Sequence, residues 1–237
     1  MAMPRELSAL AANLACRRRL GLGQVLGSPD QLDQLLSHFL PPKPSPQNGE
    51  SGLEAVRQGM GQCTRCPLHK GRRNIVFGQG PDRARIMFIG EAPGAREDEK
   101  GVPFVGPAGK LLDRMLKAVG LERSQVYITN IVKCRPPGNR DPLPEEAAAC
   151  RPFLEAQVQA LNPEIICALG RPSAQSLLST KAPISALRGN WHQVWEHRLL
   201  PTFHPAFLLR QPERKREAYQ DMKKLVRALA KTRPEED

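Results

Sequence analysis

Three polar residues of this sequence stand at the ends of short apolar runs. Glu91 follows "RIMFIG", Asn130 follows "QVYIT", and His204 follows "RLLPTF". A carboxylate can orient water or face a developing cation. An amide presents one acceptor and one NH₂ donor on a single edge. An imidazole can donate to a developing anion. Each residue alone has an ordinary structural use as a turn residue, a cap or a satisfied core histidine. Their shared placement at strand ends points to a site. The stretch after Glu91, "APGAREDEKGVPFVG", adds the acids Glu97, Asp98 and Glu99 and the aromatic Phe104. These acids sit in a strongly basic chain, with 35 Lys and Arg against 24 Asp and Glu and a net charge of +11. Such a surplus favours a polyanionic partner. A chain that only gripped phosphate would avoid acids at this position, whereas one acting on a group attached to phosphate has a use for them.

"GPAGK" (106–110) opens a helical stretch but is not a nucleoside-triphosphate loop. That loop needs a glycine five residues before the Gly-Lys pair and Ser or Thr after it, and Phe104 and Leu111 stand there. A glycine-rich helix start carrying Lys110 can still hold a phosphate diester.

Cys63 and Cys66 form a C-x-x-C pair in "GQCTRCPLHKGR", followed far downstream by Cys134 and then Cys150. Four thiolates suit zinc or an iron–sulfur cluster, and spacing alone does not choose between them. The expected role is structural, pinning the domain's first segment to the loop after the second strand and to the helix beyond. Cys16 and Cys167 read as spare or core cysteines.

The elements that must position these residues are legible from periodicity. "ARIMFIG" (84–90), "QVYITNIV" (125–132), "EIICALG" (164–170) and "RLLPTFH" (198–204) read as strands, the first three continuous enough to be buried on both faces. Between them lie helical stretches: "GKLLDRMLKAVG" closed by Gly120, "PEEAAACRPFLEAQVQAL" opened by Pro144, and "RPSAQSLL". "ERKREAYQDMKKLVRAL" reads as a basic C-terminal helix. The alternation predicts a mainly parallel sheet with helices on both faces, whose ligands bind beyond the carboxyl ends of the strands. Residues 1–40 read as a helical or mobile extension, 41–52 as a Pro/Ser/Gly-rich linker, and 53–237 as the functional domain. No apolar run approaches the roughly 20 residues that span a bilayer, and the arginines near the start follow the apolar stretch, the reverse of a secretory signal. A cytoplasmic monomer that engages no membrane is expected.

With these residues in view, "CTRCPLHKGRRNIVFGQG", "GEAPGAREDEKGVPFVGPAGKLLDRML", "YITNIVKCRPPGNRDP" and "FHPAFLLR" resemble the family-4 uracil-DNA glycosylases, the iron–sulfur branch of that superfamily. The resemblance covers about residues 60–228. It implies a three-layer αβα sandwich around a short, mainly parallel four-stranded sheet, and a [4Fe-4S] cluster on Cys63, Cys66, Cys134 and Cys150. It further implies excision of uracil from double- or single-stranded DNA. A uracil subsite of Glu91, Ala92, Phe104, Asn130 and His204 is implied, with Phe104 stacking on the flipped ring, Asn130 reading O4 and N3–H, and His204 donating to O2. Lys110, Arg135, Phe207, Leu208 and Arg210 are expected to face DNA, Phe207 and Leu208 as wedges in the stack. Related families carry an Asp where this chain has Ala92, so the residue that activates water is open between Glu91 and Glu97, with Asp98 behind them. The histidine-bearing insertion of a uracil-trapping relative is missing from "CRPPGNRDPLP", so ordinary turnover is expected. The competing reading is a non-catalytic iron–sulfur or zinc DNA-binding accessory module, which has no reason to gather Phe104, Asn130 and His204.

Overall fold

The computed structural model of the chain describes residues 52–230. The predicted N-terminal extension, with Cys16, and the linker up to residue 51 lie outside the described residues. After helix α1 (Gly52–Met60), the chain enters strand β1 (Ile86–Gly90) and the short helix α2 (Ala95–Lys100). Helix α3 (Pro107–Lys117) leads to strand β2 (Tyr127–Asn130). Helix α4 (Pro144–Leu161), strand β3 (Ile165–Leu169) and helices α5 (Arg171–Leu178) and α6 (Ile184–Leu187) follow. A hairpin of β4 (His192–Val194) and β5 (His197–Thr202) precedes helices α7 (Pro205–Arg210) and α8 (Lys215–Ala230).

The sheet runs β2-β1-β3-β5-β4, with β4 antiparallel and the other neighbours parallel. The expected four strands are joined by this fifth. β4 has only three residues, too few to show a period against the surrounding loop. The acidic run also differs from a solvated turn: it forms α2, and Asp98 is buried, accepting from the backbone N–H of Arg73 at 2.9 Å and of Asn74 at 3.3 Å.

Side chains alternate across the sheet. Met87 and Ile89 join a core with Leu154, Val158 and Leu177 of α4 and α5. Ile86 and Phe88 join another with Leu112, Leu116, Met222 and Leu225 of α3 and α8. All five residues of β1 are buried, as a strand between two helical layers requires. These are the three layers expected. No helix among the described residues is long and apolar enough to cross a membrane.

The end of β5 is tied to α8 by a buried carboxylate. Asp221 accepts from Thr202 Oγ1 at 2.7 Å and from the Arg188 guanidinium at 2.7 and 3.1 Å. Arg188 in turn lies 5.0 Å over the Phe203 ring, beside His204. Removing one partner of such a pair strands a desolvated charge. Asp221→Ala is expected to cost about 3–5 kcal/mol, read by denaturant unfolding. A loss below about 1 kcal/mol, the range of a surface pair, would show that the network does not anchor β5.

Candidate active site

The last rung of the β1–β2 ladder pairs Gly90 with Asn130. Asn130 is 1 % exposed, yet neither its side-chain nitrogen nor its oxygen has a hydrogen-bond partner. An orphaned buried polar group costs about 1–3 kcal/mol, which makes this amide the leading candidate for ligand contact. Gly90 is required beside it. A Cβ there would overlap Asn130 Oδ1 and come within 2.7 Å of the Phe104 ring.

Phe104 reaches the rung from a strained turn, with φ of +53°, at a cost of order 1–3 kcal/mol for a non-glycine residue. Three groups hold it. Glu97 Oε1 accepts from the N–H of Val105 at 2.9 Å and of Gly106 at 2.8 Å. Arg123 donates to the carbonyls of Phe104 at 3.1 Å and Pro103 at 2.5 Å while pairing with Asp113 at 3.1 Å. Gly109 leaves room for the Phe104 carbonyl, which a Cβ would overlap.

The Phe104 ring lies 5.6 Å from the His204 ring, tilted by 35°. His204 caps α7, its Nδ1 accepting from the Ala206 N–H at 3.0 Å. That bond fixes the tautomer: the neutral ring carries its proton on Nε2. Burial of the ring pushes its pKa down to about 4. Arg210 also disfavours the charged form, and Glu97 opposes the shift. At neutral pH His204 is therefore an uncharged Nε2–H donor.

Glu91 follows β1 directly. Burial raises its pKa from 4.5 to about 7, helped by the charge of Asp141 and a hydrogen bond to it, and opposed by Arg171. Asp141 pairs with Arg171 at 2.9 Å. Sequence reasoning passed over Asp141; the acid in "GNRDP" is the signal that was available. Ala92 packs half-buried against the core and offers no polar side chain.

Among residues expected to face DNA, Lys110 and Arg210 are exposed, and Arg135 is half-buried with Nε donating to Asn139 Oδ1 at 2.8 Å. Leu208 corrects the expectation: it is 0 % exposed, packed with Leu111, Phe203 and Ala218, and cannot enter a base stack. Phe207 is half-buried and stacks on Phe203 at 5.0 Å. The exposed apolar side chain of α7 is Leu209, at 40 %.

Cys63, Cys66, Cys134 and Cys150 line one cavity with Met60, Ile75 and Phe153. Arg72 donates to the Cys63 carbonyl at 2.6 Å and to Cys134 Sγ at 3.3 Å. Burial raises the thiol pKa values of Cys66, Cys134 and Cys150, the last to about 11 against the pull of Lys133. Among the described residues no three such ligands close on a single metal ion. Cys167 lies in β3, wholly buried, as expected for a core cysteine.

Fold and candidate site thus define a three-layer α/β protein that gathers Asn130, Phe104 and His204 at the carboxyl edge of a parallel sheet and lines a separate cavity with four cysteines. The profile of the uracil DNA glycosylase superfamily matches residues 77–229. The type-4 uracil-DNA glycosylase of Thermotoga maritima is 47% identical over 165 residues, covering 68% of this chain and 85% of that protein. That of Sulfurisphaera tokodaii is 45% identical over 76% of this chain and 86% of its own length. That of Archaeoglobus fulgidus is 44% identical over 78% and 96%. The chain belongs to the uracil DNA glycosylase superfamily, among its type-4 members.

The Glu91–Asp141 contact predicts a pH effect. The raised folded pKa means that the protonated carboxyl favours the fold fully below pH 4.5, a contribution lost as pH rises through about 7. Asp141→Asn removes the like charge, so the Glu91 pKa is expected to fall and this loss of stability to shrink. Carbon-detected NMR titration of Glu91 reads the pKa directly; an unchanged value in the variant would mean that the two carboxyls do not interact.

Proposed function

We infer that the protein is a DNA-repair enzyme that flips uracil out of DNA and hydrolyses its N-glycosidic bond, leaving an abasic site. The observation that carries this reading is the buried Asn130 amide, unpartnered on both atoms, beside an aromatic face and a neutral Nε2–H donor. Uracil complements it. Asn130 Nδ2–H₂ donates to O4 and Oδ1 accepts from N3–H, while Phe104 stacks on the ring. Cytosine presents the reverse pattern, which would leave buried groups facing like groups.

The C1′–N1 bond breaks with its electron pair leaving on the base. Negative charge gathers at O2, where His204 Nε2–H donates. A neutral donor suits this role, because it stabilises the anion without first surrendering its proton. The sugar becomes cationic, as in glycoside hydrolysis. Glu91, as carboxylate, faces that cation and accepts a proton from the water that adds to C1′. Glu97 instead holds the Phe104 turn, since its oxygen is engaged by two backbone N–H groups. Ala92 contributes only apolar packing below the ring. Lys110, Arg135 and Arg210 hold phosphates, consistent with the +11 charge, and Leu209, in place of Leu208, fills the gap in the stack.

The four cysteines fit a [4Fe-4S] cluster. They are thiol donors around an otherwise largely apolar cavity, with Arg72 donating to one sulfur. When bound, the cluster supplies a fourfold crosslink between the segment after α1, the loop after β2, and α4. The unpaired thiols suit a reducing compartment, in keeping with a cytoplasmic enzyme.

His204→Ala is expected to slow single-turnover excision from a uracil duplex by about 10²–10³ while leaving equilibrium DNA affinity nearly unchanged. A rate loss below about tenfold would remove His204 from the leaving-group role. The purified protein is expected to be brown, with iron and acid-labile sulfide bound; a colourless, active protein holding one equivalent of zinc would overturn the cluster assignment.

A further inference from the structure

Lys133 is the one buried Lys or Arg among the described residues, at 1 % exposure. Its Nζ donates to Thr129 Oγ1 at 2.6 Å and to the Asn130 carbonyl at 2.7 Å. Thr129 passes the chain on, donating to the Phe77 carbonyl at 2.8 Å. Both acceptors of the ammonium are neutral, and it forms no ion pair with a carboxylate among the described residues. Burial accordingly pushes the Lys133 pKa down to about 7, against the opposing pull of Cys150 and Cys134. Lys133 also lines the cysteine cavity with Cys63, Cys66, Cys134 and Cys150. Its backbone adds to the link, the N–H bonding Cys150 and the carbonyl accepting from the Val76 N–H at 2.8 Å. One residue therefore bonds Cys150 through its backbone and the Asn130 carbonyl through its side chain.

We propose that Lys133 is a positioning residue that couples the cluster-binding cysteines to base recognition, its side chain holding the Asn130 strand end by two hydrogen bonds while its backbone N–H holds Cys150. The proposal rests on the uracil-reading role of Asn130 given above. It assigns the cluster an effect on which base is held, in addition to crosslinking. Because coupling between two sites is reciprocal, a bound uracil nucleotide must also protect the cluster.

The test uses the full, cluster-loaded chain and two duplexes, one carrying a non-cleavable 2′-fluorinated deoxyuridine and one carrying thymidine in its place. Lys133→Met keeps the apolar stem and removes the donors. It is expected to lower the uracil-over-thymine affinity ratio about 10- to 100-fold, the usual cost of losing a group behind a ligand. Affinity for the thymidine duplex should change by no more than about twofold, because the phosphate contacts are untouched. In the unmutated protein the fluorinated duplex should slow iron loss to a chelator, and in Lys133→Met that protection should vanish. A merely structural lysine would instead lower both affinities together. Asn130→Ala is run alongside. If it leaves the ratio intact, the base-reading role fails. If it collapses the ratio while Lys133→Met keeps both ratio and protection, the coupling is overturned. Should Lys133→Met not yield a cluster-bearing protein, Thr129→Val removes one acceptor of Nζ and nothing charged. A partial loss of ratio then supports the proposal, and an unchanged ratio sinks it.

Discussion

The pairing of Gly90 with Asn130 at the last rung of two parallel strands constrains everything around it. Parallel strands buried on both faces must satisfy their backbone groups along the ladder, but the ladder ends here and the Asn130 side chain is buried with nothing to bond. A folded protein tolerates such a group only where the surroundings fix it. Gly90 yields the space, Phe104 closes over it from a left-handed turn, and Lys133 holds the backbone from behind.

Electrostatics around the rung follow from burial more than from the net charge. A chain at +11 could have surrounded the pocket with cations. Instead His204 is held neutral, its Nδ1 occupied by a backbone N–H and its ring desolvated near Arg210. Glu91 is raised toward neutrality by burial and by Asp141. The basic residues Lys110 and Arg210 stay exposed at the periphery. On the proposed reading, cations thereby stand where phosphates would pass, and groups near their neutral forms stand where charge would develop during bond cleavage. Preorganised dipoles in a dry pocket stabilise such charge without reorganising.

Much of this arrangement is legible in the sequence because it is local. Continuous apolar runs marked β1, β2 and β3, and α5 falls on "RPSAQSLL" from Arg171 to Leu178. Gly90, Asn130 and His204 could be placed by where the runs stop. What could not be read is whatever depends on helical phase or on contacts distant in sequence. α7 has six residues, and nothing local distinguishes an inward Leu208 from an outward Leu209. Glu97 and Glu91 look alike as acids after a strand; one is spent on two backbone N–H groups, while the other meets Asp141 across 50 positions of chain. Lys133, between Val132 and Cys134, reads as one more cation of a basic protein until the fold buries it.

The cysteine cavity then takes on a meaning that its spacing did not carry. A crosslink that joins segments far apart in sequence removes loop-closure entropy from the unfolded chain, and metal binding becomes folding free energy. That benefit could be had wherever the segments meet. Here they meet with Cys134 four residues after Asn130, and with Lys133 between the cavity and the strand end. On the proposed reading, the crosslink and the recognition of the base meet in one residue, so the loss of either would disturb the other.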